Sequence, residues 1–162
     1  MKEEDLLFYL QEEQRNTQLQ QIISCNQYTQ KFGLQLSAEE ATQLVEARKD
    51  SLKMQERVEF GQGILTQLIY AFCDSPYIYQ DNYVDTMEAL QDIFYLYKNE
   101  SLDELTDQEL ITYMKEAFDG SCQGSLEHLE DTALEGFARK IRRGGYLDTV
   151  YIEDEGGDDS GL

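Results

Sequence analysis

Five large apolar residues recur at helical spacing in the middle of the chain, and they constrain the fold more than any other feature. They are Tyr83, Met87, Leu90, Phe94 and Tyr97. Their separations of four, three, four and three residues are those of one face of an α-helix. The pattern predicts a helix over about residues 82–98 with this stripe turned toward a core.

Two hydroxyl–carboxylate pairs mark the starts of further helices. Ser37 stands three residues before Glu40, and Thr106 stands three residues before Glu109. In this arrangement each side chain can bond a free backbone N–H group of the first helical turn. Together with apolar periodicity and the position of Pro76, these signals predict helices over 5–31 (one broken helix or two short ones), 38–55, 64–73, 82–98, 106–118 and 125–143.

These elements predict an all-α fold. We expect one compact domain over residues 1–143, with five or six helices around the very apolar helix at 64–73. A short strand near 57–60 is possible. Residues 144–162 follow as an acidic tail after the helix-breaking pair Gly144-Gly145.

The tail contains a run of β-favouring residues, of which Val150, Tyr151 and Ile152 are candidates for binding a partner. An unpaired strand buries too little surface to stay folded. The run could pair with an edge of its own domain, such as 32–36 or 58–60. We expect instead that it is disordered and adds to the sheet edge of a partner protein.

The charge balance excludes several classes of partner. With 13 Lys and Arg against 33 Asp and Glu, the net charge is −20, so nucleic acid and anionic membranes are not expected partners. The apolar fraction of 41% argues against general disorder. The acidic N-terminus, the lack of a long apolar run and the three widely spaced cysteines predict a cytoplasmic protein.

The motifs of catalysis and metal binding are weak or missing. The only imidazole is His128, and Cys122 is the cysteine closest to it in sequence. We expect no cysteine to be catalytic, since Cys73 follows a helix end that disfavours a thiolate. No spacing typical of zinc or calcium ligands occurs, so we expect no metal and no cofactor.

A ligand pocket remains an alternative around the glycine-containing segment 57–63. Arg57, Glu59, Cys73 and Asp74 would line it, in a small enzyme or ligand-binding protein. The segment lacks the third glycine of a dinucleotide loop and the lysine of a P-loop, and Glu59 would repel phosphate. A tight turn that leads into the buried helix explains the glycines more simply.

Tyrosines cluster around the proline turn. Tyr77, Tyr79 and Tyr83 could form a recognition surface, because tyrosine brings a large contact area and a polar tip. Packing within the domain is the alternative. Together with the tail, these residues indicate a protein-interaction module, accessory or regulatory. This is the function that we expect for the chain.

Four short strings resemble those of a family of small proteins from Gram-positive, mostly anaerobic bacteria, known only as a domain of unknown function. The strings are Arg57-Val58-Glu59-Phe60-Gly61, Phe72-Cys73-Asp74-Ser75-Pro76-Tyr77-Ile78, Lys98-Asn99-Glu100 and Gly124-Ser125-Leu126-Glu127. The resemblance spans most of residues 15–143 and implies a bacterial cytoplasmic setting. It implies no activity, cofactor or catalytic residue.

Overall fold

The computed structural model describes residues 2–59 and 63–143, and no strand occurs within those two ranges. The helices are α1 (Glu3–Ser24), α2 (Asn26–Thr29), α3 (Ala38–Met54), α4 (Leu65–Phe72), α5 (Tyr83–Glu100), α6 (Asp107–Asp119), α7 (Leu126–His128) and α8 (Glu135–Arg142). The expected all-α class is confirmed. Residues 57–59 do not form the short strand considered near 57–60.

The chain forms two compact units, with the boundary inside α5. The first unit ends at Tyr95 and the second begins at Leu96. The sequence predicted a single domain over 1–143 and gave no signal for this division, because the apolar stripe of α5 continues without a break through both units.

The first unit contains the core that the sequence predicted. Leu68, Ile69 and Phe72 of α4 are fully buried, as are Met87 and Leu90 of α5. The α5 stripe is buried along its whole length, which confirms the predicted orientation of that helix.

Both predicted capping pairs are present. The Glu40 N–H donates to the Ser37 hydroxyl at 3.1 Å, and the Ser37 N–H donates to the Glu40 carboxylate at 2.9 Å. Thr106 and Glu109 make the equivalent bonds at 3.1 and 2.8 Å. These helix starts follow from local sequence, since every group in each pair lies within one turn.

The N-terminal region is divided at Cys25. The polar run 11–18 lies inside one continuous helix, α1, rather than at a break. After α2, a 3-10 turn over Gln30–Phe32 ends at Gly33, whose φ of +79° is a left-handed conformation that glycine adopts without steric cost.

In the second unit a π-helical segment, Leu129–Leu134, joins α7 to α8. Leu129 and Leu134 are both fully buried although they lie five residues apart. An i to i+5 turn places such residues on the same face. The Tyr97 hydroxyl donates to the Glu130 carbonyl at 2.5 Å, and the Tyr113 hydroxyl donates to the Ala133 carbonyl at 3.4 Å. These two bonds satisfy carbonyl groups within the segment.

The tail predictions lie outside the described residues. Val150, Tyr151 and Ile152 all fall in the range 144–162, so the boundary at residue 143 and the tail's binding role stay predictions.

Candidate functional site

On the first unit the exposed ring of Tyr28 touches two other exposed rings, Phe32 and Tyr70. We call these three residues the aromatic patch. Their exposed fractions are 42, 39 and 49%. The Tyr28 ring meets Phe32 at a centroid distance of 5.8 Å and Tyr70 at 5.3 Å, both edge to face. This geometry is favourable for aromatic pairs, so the patch has a defined shape.

A cation lies on the aromatic patch. The Lys31 ammonium lies 4.0 Å from the Tyr28 centroid and 5.5 Å from the Phe32 centroid. Attraction between the ammonium and the ring faces holds the charge there. The patch therefore combines apolar area with one positive charge on a strongly acidic chain.

A polar cleft of about 480 Å³ begins beside the patch, and we call it the glutamine cleft. Its lining is formed by Gln30, Gly33, Gln35, Leu36, Ser37, Glu40 and Gln80. Gln30 and Gly33 lie on either side of Phe32 in the chain, so the cleft starts where the aromatic patch ends. The patch and the cleft together make the candidate site.

Carboxamide side chains at the cleft already bind extended backbone. The Gln80 carboxamide accepts from the Gln35 N–H at 2.8 Å and donates to the Gln35 carbonyl at 2.9 Å. Asn26 makes the same pair of bonds with the backbone of Leu36, at 2.8 and 2.9 Å. These backbone groups are therefore already paired, which leaves less of the 32–36 edge for the tail to join.

The three tyrosines predicted at the proline turn have different environments. Tyr79 is 58% exposed and precedes Gln80 of the glutamine cleft. Tyr77 is half-buried. Tyr83 is only 1% exposed, which favours the alternative of packing within the domain over contact with a partner. As the first residue of the α5 stripe it packs inward, and burial raises the pKa of its hydroxyl.

Glu59, a candidate for the ligand pocket, is bound within the first unit. Its Oε1 accepts from Arg48 Nε at 2.8 Å and from the Tyr95 hydroxyl at 2.5 Å. Arg48 Nη2 approaches the same oxygen to 2.7 Å as a charge contact outside hydrogen-bond geometry. Burial lowers the pKa of Arg48, but the bonds to Glu59 and Tyr95 outweigh it and the net shift is upward. The cluster joins α3, the 55–64 connection and α5.

Gly63 packs against this ion pair. Its φ is +79°, and a Cβ at this position would lie 2.4 Å from Arg48 Nε and 2.9 Å from Glu59 Oε1. The glycine is thus required by both conformation and space. Its positive φ is the conformation that the tight-turn interpretation gave to the glycines, and its lack of a Cβ leaves room for the Arg48–Glu59 pair.

The other pocket candidates are Cys73, Arg57 and Asp74. Cys73 is buried at the end of α4, where its thiol donates to the Tyr70 carbonyl at 3.6 Å. Arg57 is half-buried and Asp74 is exposed. None of these residues lines the glutamine cleft.

The thiols have the environment of structural cysteines. All three are buried, and burial raises the pKa values of Cys25 and Cys122. His128 is exposed, and its backbone N–H donates to Ser125. A nucleophilic cysteine needs the opposite shift and an adjacent base.

A second, acidic groove of about 330 Å³ lies along α3 and α5. Its carboxylates are Glu46, Asp50, Glu88 and Asp92. Within residues 2–59 and 63–143, however, no three His, Cys, Asp or Glu side chains are grouped closely enough to hold a metal ion. In the same part of the chain no helix has both the length and the apolarity needed to cross a membrane.

The fold and these surfaces define a class: an acidic, all-α protein with an exposed aromatic patch beside an amide-lined cleft. The chain belongs to the family of unknown function DUF6323, which matches residues 21–146. The expected resemblance to a domain of unknown function is confirmed. No curated protein and no solved structure matches the chain significantly.

Sequence reasoning missed the aromatic patch. Tyr28 and Phe32 are four residues apart, a spacing that puts side chains on one side of a helical turn. That signal was available. No such signal existed for Tyr70, because it lies 38 residues beyond Phe32 inside the most apolar stretch of the chain and was expected to be buried.

Proposed function

We propose that this chain is a protein-interaction module, accessory or regulatory, that acts in the bacterial cytoplasm and binds its partner through the aromatic patch and the glutamine cleft. The observation that carries the proposal is the exposure of three rings next to that cleft, with Tyr28 in contact with both Phe32 and Tyr70.

Aromatic side chains are enriched at protein interfaces and dominate their energetics. Tyr28 and Tyr70 present large rings with few rotatable bonds, so fixing them on binding costs little entropy. Tyr79, which precedes Gln80, extends the same surface and keeps its proposed contact role.

The glutamine cleft supports an extended peptide segment as the bound element. Gln80 and Asn26 pair with backbone N–H and carbonyl groups of the chain itself, as a strand neighbour would. Gln30 and Gln35 bring further carboxamides to the cleft. Such groups can bond a partner's backbone, while an apolar side chain of that partner packs on the aromatic patch.

The test is quantitative affinity purification from the source organism with three forms of the full chain. These are the unaltered chain, Tyr28→Ala/Tyr70→Ala, and Met54→Ala as a matched control. Met54 is 80% exposed and lies outside the patch and cleft, so its truncation removes exposed apolar area elsewhere.

We expect the unaltered chain and the control to recover the same partner in stoichiometric amount. Loss of two central aromatic contacts costs about 2 kcal/mol or more, which lowers affinity by about thirtyfold. Equal recovery by the double variant, with its circular dichroism spectrum unchanged, contradicts the proposed surface.

A further inference from the structure

The first turns of α1 expose an apolar segment that is separate from the aromatic patch. Leu6, Leu7, Phe8, Tyr9 and Leu10 are consecutive, and their exposed fractions are 48, 58, 64, 53 and 53%. The buried residues of α1, Gln18 and Ile22, lie in its second half. We call residues 6–10 the apolar cuff.

The apolar cuff covers every side of the helix. An α-helix has about 3.6 residues per turn, so five consecutive apolar residues leave no polar face. A helix that is apolar all round is normally enclosed by other structure. At about 1.5 Å per residue the cuff is about 7.5 Å long, far shorter than the roughly 30 Å core of a bilayer. A protein cleft that surrounds the helix fits this shape, and a membrane span does not.

Carboxylates flank the apolar cuff at both ends. Glu3, Glu4 and Asp5 precede it, and Glu12 and Glu13 follow it. Arg15, the next cation along the helix, lies 3.1 Å from Glu46 of α3. That contact directs its charge to the body of the unit rather than to the cuff.

These charges distinguish between the candidate occupants. A second copy of the chain, in either orientation, would bring one set of carboxylates against another. The chain's own residues 144–162 carry six acids and no base, so they would be repelled as well. A partner with an apolar cleft and basic residues at both of its rims would complement both the flanking carboxylates and the apolar surface of the cuff.

We propose that the apolar cuff inserts into a cleft of a partner protein that is apolar inside, encloses one helix and carries Lys or Arg at both ends. The proposal is independent of the aromatic patch, because the cuff and the patch share no residue. The cuff also precedes residues 21–146, the part of the chain that the family matches. The two surfaces are altered by different substitutions, so one can fail without the other.

The probe is a fluorescent amphipathic helical peptide of Leu and Lys, about four turns long, which reproduces the proposed apolar and basic chemistry. A Leu and Glu peptide of equal length is its charge control. Binding to the full chain is measured by fluorescence anisotropy at low and moderate salt, and sedimentation velocity reports self-association.

Three variants separate the contributions. Leu7→Gln/Phe8→Gln removes apolar area at unchanged charge. Glu3→Gln/Glu4→Gln removes two flanking charges. The matched control, Glu127→Gln/Asp131→Asn, removes two exposed charges in the second unit.

We expect the Leu and Lys peptide to bind the unaltered chain and to bind Leu7→Gln/Phe8→Gln at least about tenfold more weakly. Removal of the flanking charges should weaken binding about threefold at low salt, with less effect at moderate salt. The control variant should bind within about twofold of the unaltered chain. Circular dichroism should show the same helical content in all forms.

Four results would overturn the proposal. The Leu and Glu peptide could bind equally well, or Leu7→Gln/Phe8→Gln could leave binding unchanged. A dimer that this variant dissociates would identify a second copy as the occupant. A gain of about tenfold in peptide binding on deletion of residues 144–162 would identify the tail as the occupant.

Discussion

Replacement of Gly63 by alanine tests whether the buried Arg48–Glu59 pair organises the first unit. Gly63 and Gly33 both have φ of +79°, so an alanine at either position adopts a left-handed conformation. That conformation costs about 1–2 kcal/mol for an L-residue. At Gly33 nothing lies within 4 Å of the added Cβ, so this strain is the whole expected loss.

At Gly63 the added Cβ would lie 2.4 Å from Arg48 Nε and 2.9 Å from Glu59 Oε1. The charged groups must move apart or the backbone must shift. Overpacking costs about 1–3 kcal/mol. We therefore expect Gly63→Ala to lose about 2–5 kcal/mol in all, about 1–3 kcal/mol beyond Gly33→Ala.

The measurement is urea unfolding followed by far-ultraviolet circular dichroism, with both variants in the same unit. A double variant, Arg48→Ala/Gly63→Ala, tests the part played by Arg48, because truncation of Arg48 removes its clash with the added Cβ and leaves only the contact with Glu59, so the two losses should not add. Equal losses for Gly63→Ala and Gly33→Ala, within about 0.5 kcal/mol, would refute the reasoning.

Three further predictions follow from the burial of single side chains. Phe94→Ala should lose about 3–5 kcal/mol in the same urea assay, because the ring is 1% exposed, and a loss below about 1 kcal/mol would contradict its core position. The buried thiols of Cys25 and Cys122, whose pKa values are raised, should alkylate more slowly near about pH 6.5 than a free thiol peptide, and faster reaction would reveal an activated cysteine. Burial raises the pKa values of Tyr83 and Tyr95 above the ordinary 10.0, so the unfolded chain releases protons first as pH rises. The free energy of unfolding should therefore be level below about pH 10 and fall above it, and an unchanged value near about pH 11 would show that these hydroxyls ionise freely in the folded chain.

The proximity of interacting groups along the chain explains which elements could be predicted. Both capping pairs, Ser37 with Glu40 and Thr106 with Glu109, lie within one turn. The α5 stripe likewise depends only on the 3.6-residue period. Short-range order of this kind is encoded in spacing, so the all-α class and most helix starts were accessible from the sequence.

The break at Cys25 and the π segment were not accessible in that way. The polar run 11–18 is compatible with a break or with an exposed helix face, and only packing distinguishes them. The π segment depends on the burial of both Leu129 and Leu134. It also depends on the hydrogen bond from the Tyr97 hydroxyl to the Glu130 carbonyl, and these two residues are 33 positions apart in the chain.

The candidate site shows the same division. Spacing could suggest that Tyr28 and Phe32 share a face, and composition determined the net charge of −20. Only the tertiary structure decided that Tyr70 joins them, that Gln80 binds the backbone of Gln35 across 45 residues, and that Tyr83 packs inward. The sequence by itself determined which residues were helical and charged, because those properties are local. Which aromatic rings stay exposed depends on the surface that each helix buries against its neighbours, and this is settled only when segments distant in the chain pack together.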